Sequence, residues 1–365
     1  MQVARVRRAP SRASSTTRAP LAGATAWVGW FATGVTILLA LGAPEVAERY
    51  AFAPLLAGIV LIGLPHGALD HLLPARLGFG WGRRPLGIAL YLAAYLAIAA
   101  AMLALWRVAP AAAFALFLVA TVAHWGQGDL RFLELHLGRR RAGPLEGIAV
   151  VALRGAIPVL VPLLAQPRVV EQLLATAATA MGATAMGATA AELDLTTAPV
   201  VALATTILAL GLAGWLATLP RAWAAPRDAL GDAAEVLLLI TLFAVVPPYL
   251  AIGVYFLAWH SLRHLLRLAL LRPSDRRTIA TGRAGSTIAR LARDLIPMTA
   301  LALAALAGLY AWAAPRISGT EGFVALYLVW ISALTMPHLA AVALMDARPA
   351  GVTPRAGSRR RRGGP

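Results

Sequence analysis

The stretch AAFALFLVATVAHWGQGDL, residues 112–130, decides the fold. It opens on an uninterrupted apolar run, and a histidine, His124, follows within the same segment. About 20 predominantly apolar residues are what an α-helix needs to cross the hydrocarbon of a bilayer. An ionisable ring at such a position is costly, so it marks a functional site by default. The pattern recurs along the chain. His66 lies in LIGLPHGALDH (61–71), His260 and His264 in AWHSLRH (258–264), and His338 in TMPHLAAVAL (335–344). Imidazoles brought together from separate helices suggest a metal, because neutral imidazole is the commonest metal ligand.

Composition sets the same class. Of 365 residues, 59% are hydrophobic and only 13% charged, with a mean hydropathy of +0.72, against roughly one-quarter charged residues in a soluble domain. Ten hydrophobic spans are expected, at 23–42, 52–72, 85–106, 112–130, 147–165, 199–219, 233–246, 249–271, 295–313 and 322–345. Pro247-Pro248 follows the short seventh span; that pair can instead kink one long segment, which leaves nine or eight. The expected fold is therefore all-α: one polytopic transmembrane bundle over residues 23–345, between basic tails at 1–22 and 346–365. Without cysteine, disulfides, thiolate metal sites and cysteine nucleophiles are excluded.

The distribution of charge orients this bundle. The net charge is +17, and all 33 basic residues are arginine. With ten spans, 28 of the 33 fall in the two tails and the loops 73–84, 131–146, 220–232 and 263–294, all on one side. By the positive-inside rule that side is cytoplasmic, so both termini are expected in the cytoplasm of a multi-pass cell-membrane protein. The basic tails then face anionic lipid headgroups of the bilayer. No interleaving of basic and aromatic residues points to nucleic acid. The repeat MGATA-MGATA at 181–190 reads as a tolerated low-complexity insertion in an outer loop.

The histidines share a depth on this topology. His66, His124 and His338 lie six or seven residues from the cytoplasmic ends of their spans, about 9–11 Å inside at 1.5 Å per residue. His260 and His264 occupy the inner half of theirs, and their i, i+4 spacing puts both rings on one face. Carboxylates accompany them. Asp70 follows His66 by four residues and Asp129 follows His124 by five; both are expected to accept the second ring N–H of a ligand histidine. His71, at the membrane edge, is a further candidate neighbour. Arg154, within a span, is expected either to pair with one of these carboxylates or to reach the cytoplasmic surface. Trp125, Trp259, Tyr255 and Phe256 flank the histidines and are expected to line a slot for a lipophilic substrate arriving from the bilayer. Ligand type alone leaves zinc, iron, copper and nickel open.

PHGALDH (65–71), HWGQGD (124–129), WHSLRH (259–264) and PH (337–338), in that order, resemble the Brp/Blh family of membrane proteins over roughly residues 50–345. The resemblance implies a β-carotene 15,15′-dioxygenase that uses iron(II) and O2 to cleave the central double bond. Two all-trans-retinal molecules would result and pass to a retinal-binding protein. It also implies that His66, His124, His260 and His264 ligate the iron, with His338 nearby but not bonded. Two other classes differ from this one. A membrane di-iron hydroxylase or desaturase presents eight or more histidines in HxxH clusters, whereas this chain has seven in all. A histidine-relay metal or proton transporter would show discontinuous helices near the midplane.

Overall fold

In the computed structural model, residues 18–137, 143–183, 194–218, 226–281 and 284–347 are described. The C-terminal basic tail after Ala347, nearly all of the N-terminal one and most of the MGATA repeat lie outside that set. Among the described residues every regular element is a helix. In chain order these are α1 (Arg18–Gly42), α2 (Pro44–Arg49), α3 (Ala53–Arg76), α4 (Pro85–Val108), α5 (Pro110–Leu137), α6 (Pro144–Ala165), α7 (Pro167–Ala180), α8 (Ala198–Leu216), α9 (Pro226–Val245), α10 (248–269), α11 (Pro273–Ala280), α12 (Ala284–Ala313) and α13 (Gly319–Ala347). Eight of them begin on a proline. A proline at the first helical position loses no intrahelical bond and brings a pre-set φ, so these residues punctuate the apolar runs into separate helices.

Eight helices (α1, α3, α4, α5, α6, α8, α12 and α13) are long and apolar enough to cross a membrane. The other two expected spans, at 233–246 and 249–271, are helical as well, in α9 and α10, and Pro247 separates them in an extended conformation. They fall short of the other eight because they carry polar cargo: Asp232 and Glu235 on α9, and His260, Arg263, His264 and Arg267 on α10. All of these face protein rather than lipid. The opposite behaviour marks the periphery, where Phe31, Leu38, Leu86, Leu145 and Leu210 are turned outward, as an acyl environment requires.

Two apolar cores flank the centre. One joins α1, α6, α9 and α10 to the end of α5 through Leu130, Leu153, Leu239, Phe243 and Tyr255. The second joins α4, α7 and α13 to the start of α5 through Trp106, Phe114, Phe117, Leu174 and Val329. Helix α5 belongs to both, and His124 lies between its two contributions. Lipid tails are as apolar as leucine, so close packing and interhelical hydrogen bonds hold such a bundle together. Trp106 donates to Ser332 Oγ at 2.8 Å and Trp259 to Thr33 Oγ1 at 2.7 Å, each between two helices.

Helices α5 and α6 approach closely at two glycines. A Cβ on Gly126 would overlap the carbonyl of Val151, and one on Gly155 would overlap that of Val122. Gly126→Ala and Gly155→Ala should each force the helices apart and cost about 1–3 kcal/mol, as overpacking does. A lower melting temperature in detergent, with Leu145→Ala close to the parent because Leu145 is exposed, is the expected result.

Candidate metal centre

Two of the histidine segments depart from α-helical geometry just where the histidines begin. In α3 a π-helical turn, Ile59–Gly63, precedes Pro65 and His66; in α10 another, Phe256–His260, ends on the histidine itself. A π turn inserts one residue, and at 3.6 residues per turn that rotates the following side chains by about 100°. The Gly63 carbonyl, at the end of that turn, accepts the Nδ1–H of His66. That bond leaves the lone pair of His66 on Nε2. A matching arrangement holds His338, whose Nδ1 donates to Asp70 Oδ2 at 2.7 Å, again reserving Nε2 as the lone-pair nitrogen.

Five buried imidazoles meet here. Ring-centre separations are 5.3, 5.5 and 5.1 Å from His66 to His260, His264 and His338, and 4.8 Å from His124 to each of His260 and His338. The widest recorded are 6.3 Å for His124–His264 and 6.4 Å for His260–His264. At a metal–nitrogen distance of about 2.1 Å, adjacent ligand rings around one ion stand ~4.5 Å apart and opposite ones ~6.4 Å. The cluster spans that interval. Candidate ligand atoms of His66, His124 and His338 all lie within 4.8 Å of one another, so His338 is as close as the histidines expected to ligate.

The donor set also fits a cation electrostatically. Both ring nitrogens of His124 and Nε2 of His260, His264 and His338 are buried with no hydrogen-bond partner among the described residues. A buried polar atom left unsatisfied costs about 1–3 kcal/mol; one ion would satisfy a lone pair from each ring together.

The carboxylates are distributed differently from the expectation. Asp70 serves His338, not His66, and also accepts from Tyr95 Oη at 3.0 Å. Asp129 does not reach His124. It joins a buried ionic lattice, accepting from Arg154 and Arg263 at 3.0 Å each. Arg154 further contacts Glu235 at 2.9 Å and Asp232 at 2.5 Å, and Arg263 contacts Glu235 at 2.8 Å. Trp30 and Trp215 donate to Glu235 and Asp232. The Arg263 guanidinium lies 4.2 Å from the ring centres of both Phe132 and Trp259. Arg263, one residue before His264, thereby ties α10 to α5 and α9. Of this lattice, sequence reading named Arg154 and Asp129 but missed Arg263, Asp232 and Glu235; charges inside otherwise apolar runs were the available signal.

A cavity of about 410 Å³ opens on the cluster. His66, His124, His338, Asp70 and His71 line it, together with Trp125 and Phe256, and apolar side chains make up most of the rest. Of the aromatics expected to line a slot, Tyr255 and Trp259 are instead packed in the first core, and His260 and His264 lie behind the lining. His71, partly buried, bonds through Nδ1 to the Ala68 carbonyl at 2.8 Å.

Comparison with known proteins adds an independent finding. A family model described as beta-carotene 15,15′-dioxygenase matches residues 57–346. The chain is 37% identical over 337 residues to the probable beta-carotene 15,15′-dioxygenase Blh of Halobacterium salinarum, covering 87% of this chain and 91% of that protein. It is 29% identical over 317 residues to the probable beta-carotene 15,15′-dioxygenase Brp of the same species, covering 80% of this chain and 82% of Brp. No solved structure matches.

The ionic lattice generates a prediction of its own. Three carboxylates face two guanidiniums, so Arg154→Met leaves buried negative charge uncompensated and should cost about 3–5 kcal/mol. Folded yield and melting temperature should fall sharply, while Arg168→Met, at an exposed position, should stay within about 0.5 kcal/mol of the parent.

Proposed function

The chain belongs to the β-carotene 15,15′-dioxygenase family, and from that premise we propose that it cleaves β-carotene with O2 at a single iron(II) ion held by the buried histidines. His66, His124, His260 and His264 are the ligands the sequence resemblance implied. We add His338, because its Nε2 is unpartnered and its Nδ1 is anchored on Asp70. A carboxylate behind a ligand histidine fixes the tautomer and raises ligand basicity. The observation that carries the reading is the clustering of five buried imidazoles, four with unpartnered nitrogens among the described residues, beside an apolar cavity.

Bound there, iron would supply the redox-active position at which O2 reacts with the polyene. The chain's own groups do the rest. The Gly63 carbonyl and Asp70 hold the rings of His66 and His338, and Tyr95 holds Asp70. Trp125 and Phe256 flank the cavity beside the histidines and would position the polyene. The apolar walls exclude water from the reacting bond. The chemistry balances without a further reductant: the 15,15′ double bond breaks, each carbon receives one oxygen atom, and O2 takes its four electrons from that bond. No net proton is exchanged, so the site needs no path for protons.

The same reading assigns residues 23–345 to one transmembrane catalytic unit, flanked by basic tails at 1–22 and 346–365. It places the histidines toward the cytoplasmic leaflet and both termini in the cytoplasm, by the positive-inside rule. β-Carotene would enter from the bilayer, and two all-trans-retinal molecules would leave, toward a retinal-binding protein.

In cells that make β-carotene, expression should bleach the pigment and yield retinal, or retinol after reduction. A hydroxylated C40 product would instead move the assignment to a hydroxylase. His66→Ala, His124→Ala, His260→Ala, His264→Ala and His338→Ala should each lose most of the iron and abolish retinal formation. Asp70→Asn should weaken metal affinity or activity about 10–100-fold. Full iron stoichiometry in His338→Ala would remove that residue from the ligand set. Topology is tested separately: reporter fusions after residue 195 should report the outer side and after residue 280 the inner side, and a shared side would refute the orientation.

A further inference from the structure

Three oxidisable rings lead from the surface to the histidine cluster. Trp81, in the stretch joining α3 to α4, is 38% exposed. Its ring centre lies 6.0 Å from that of Tyr91, and Tyr91 lies 6.2 Å from Tyr95. Tyr95 donates to Asp70 Oδ2 at 3.0 Å, and the same oxygen accepts from His338 Nδ1 at 2.7 Å. Tyr91 and Tyr95, four residues apart, share one face of α4. The start of α4 packs tightly on the Trp81 backbone, since a Cβ on Gly87 would overlap the carbonyl of Trp81. The path is therefore held at both ends.

An interfacial aromatic belt does not account for it. Belt residues turn their polar ends to the headgroups. Here the Tyr91 hydroxyl is buried with no partner among the described residues, and the Tyr95 hydroxyl is engaged by Asp70. Trp125 also comes close to the cluster, 5.6 Å from His260, but its neighbour Tyr255 is fully buried in the first core.

Cleavage of the polyene supplies all four electrons that O2 takes up. On the reading above, O2 that reacts at iron(II) with no polyene bound leaves an oxidising equivalent beside the ligand histidines. Phenol and indole rings give up an electron more readily than imidazole or an aliphatic side chain. An oxidised phenol is a strong acid, so its electron leaves readily only where an acceptor takes the proton. Asp70 is that acceptor for Tyr95.

We propose that Tyr95, Tyr91 and Trp81 form a relay that drains such equivalents to the surface, a protective activity distinct from cleavage. One electron leaves the Tyr95 ring for the site, and the phenolic proton passes to Asp70 Oδ2. Trp81 then reduces the Tyr95 radical, which regains its proton from Asp70. Tyr91, whose hydroxyl has no acceptor for a proton, is the bridge between them. A soluble one-electron donor, ascorbate or a thiol, restores Trp81, so each oxidising equivalent consumes one electron from outside.

The test uses the purified, iron-loaded protein without carotenoid. Mixed with hydrogen peroxide and frozen rapidly, the parent should show an aromatic radical by electron paramagnetic resonance, and ascorbate should erase it. Trp81→Phe blocks the exit and should prolong the tyrosyl signal severalfold. Peptide mapping should find oxygen adducts on Trp81 in the parent, and on Trp125 or the histidines in Trp81→Phe and Tyr91→Leu. Neither variant touches the cavity, so initial β-carotene cleavage should match the parent, while the half-life of that activity in air without substrate should fall severalfold. Equal half-lives and the same adduct sites in parent and both variants overturn the relay and leave the dioxygenase reading standing. A parent with neither an aromatic radical nor a Trp81 adduct also overturns it, which decides the matter even if a variant does not fold. Failure of the parent to cleave β-carotene overturns both.

Discussion

Hydrocarbon offers no water to a polar group, so every polar atom inside this bundle must find its partner in the protein or in a bound ion. That constraint sorts the interior into two kinds of site. The lattice of Arg154, Arg263, Asp129, Asp232 and Glu235 pairs every charge through short ion pairs and two tryptophan donors, although Arg154 Nε and Arg263 Nε have no hydrogen-bond partner among the described residues. In the histidine cluster a few residues away, five ring nitrogens on four imidazoles have no hydrogen-bond partner among the described residues. The first kind of site holds helices together, and the second offers nitrogen donors that could hold a cation.

The two sites are mechanically linked. Arg263 sits between His260 and His264 on α10, clasped by Phe132 and Trp259 and paired with Asp129 and Glu235. Asp129 follows His124 on α5 by little more than one turn. Helices that supply imidazoles are thus locked by charges on those same helices. A buried ion pair is weak evidence for net stability, but a five-member lattice fixes which faces of α5, α6, α9 and α10 meet, and a metal site needs that fixed orientation. The π turns of α3 and α10 act toward the same end, by re-aiming His66 and His260.

The cavity extends this division of labour. Near the histidines it has tautomer-fixing groups, with Asp70 held by Tyr95 and the Gly63 carbonyl bound to His66. Farther along α13 its walls are mostly apolar. A long, slender, lipophilic molecule suits such a passage, and the family membership agrees with it.

Much was legible in the residues themselves. Apolar runs near 20 residues, punctuated by prolines, specify membrane helices, because a bilayer imposes one length on every helix that crosses it. Histidines inside those runs announce a site, because their cost in hydrocarbon demands a use; the ordered motifs around 65–71, 124–129 and 259–264 carried the family resemblance. Which partner each polar group takes was decided only by tertiary structure. Sequence spacing pairs Asp70 with His66 and Asp129 with His124, yet the folded chain gives Asp70 to His338, 268 residues away, and Asp129 to two arginines. The fate of α9 and α10 was settled in the same way: their charges look like a defect in a span until Arg154, from α6, closes the lattice. Periodicity reports which way a side chain points on its own helix. A π turn shifts that direction by about 100°, and the neighbouring helix supplies the partner, so neither could be read before the helices were packed.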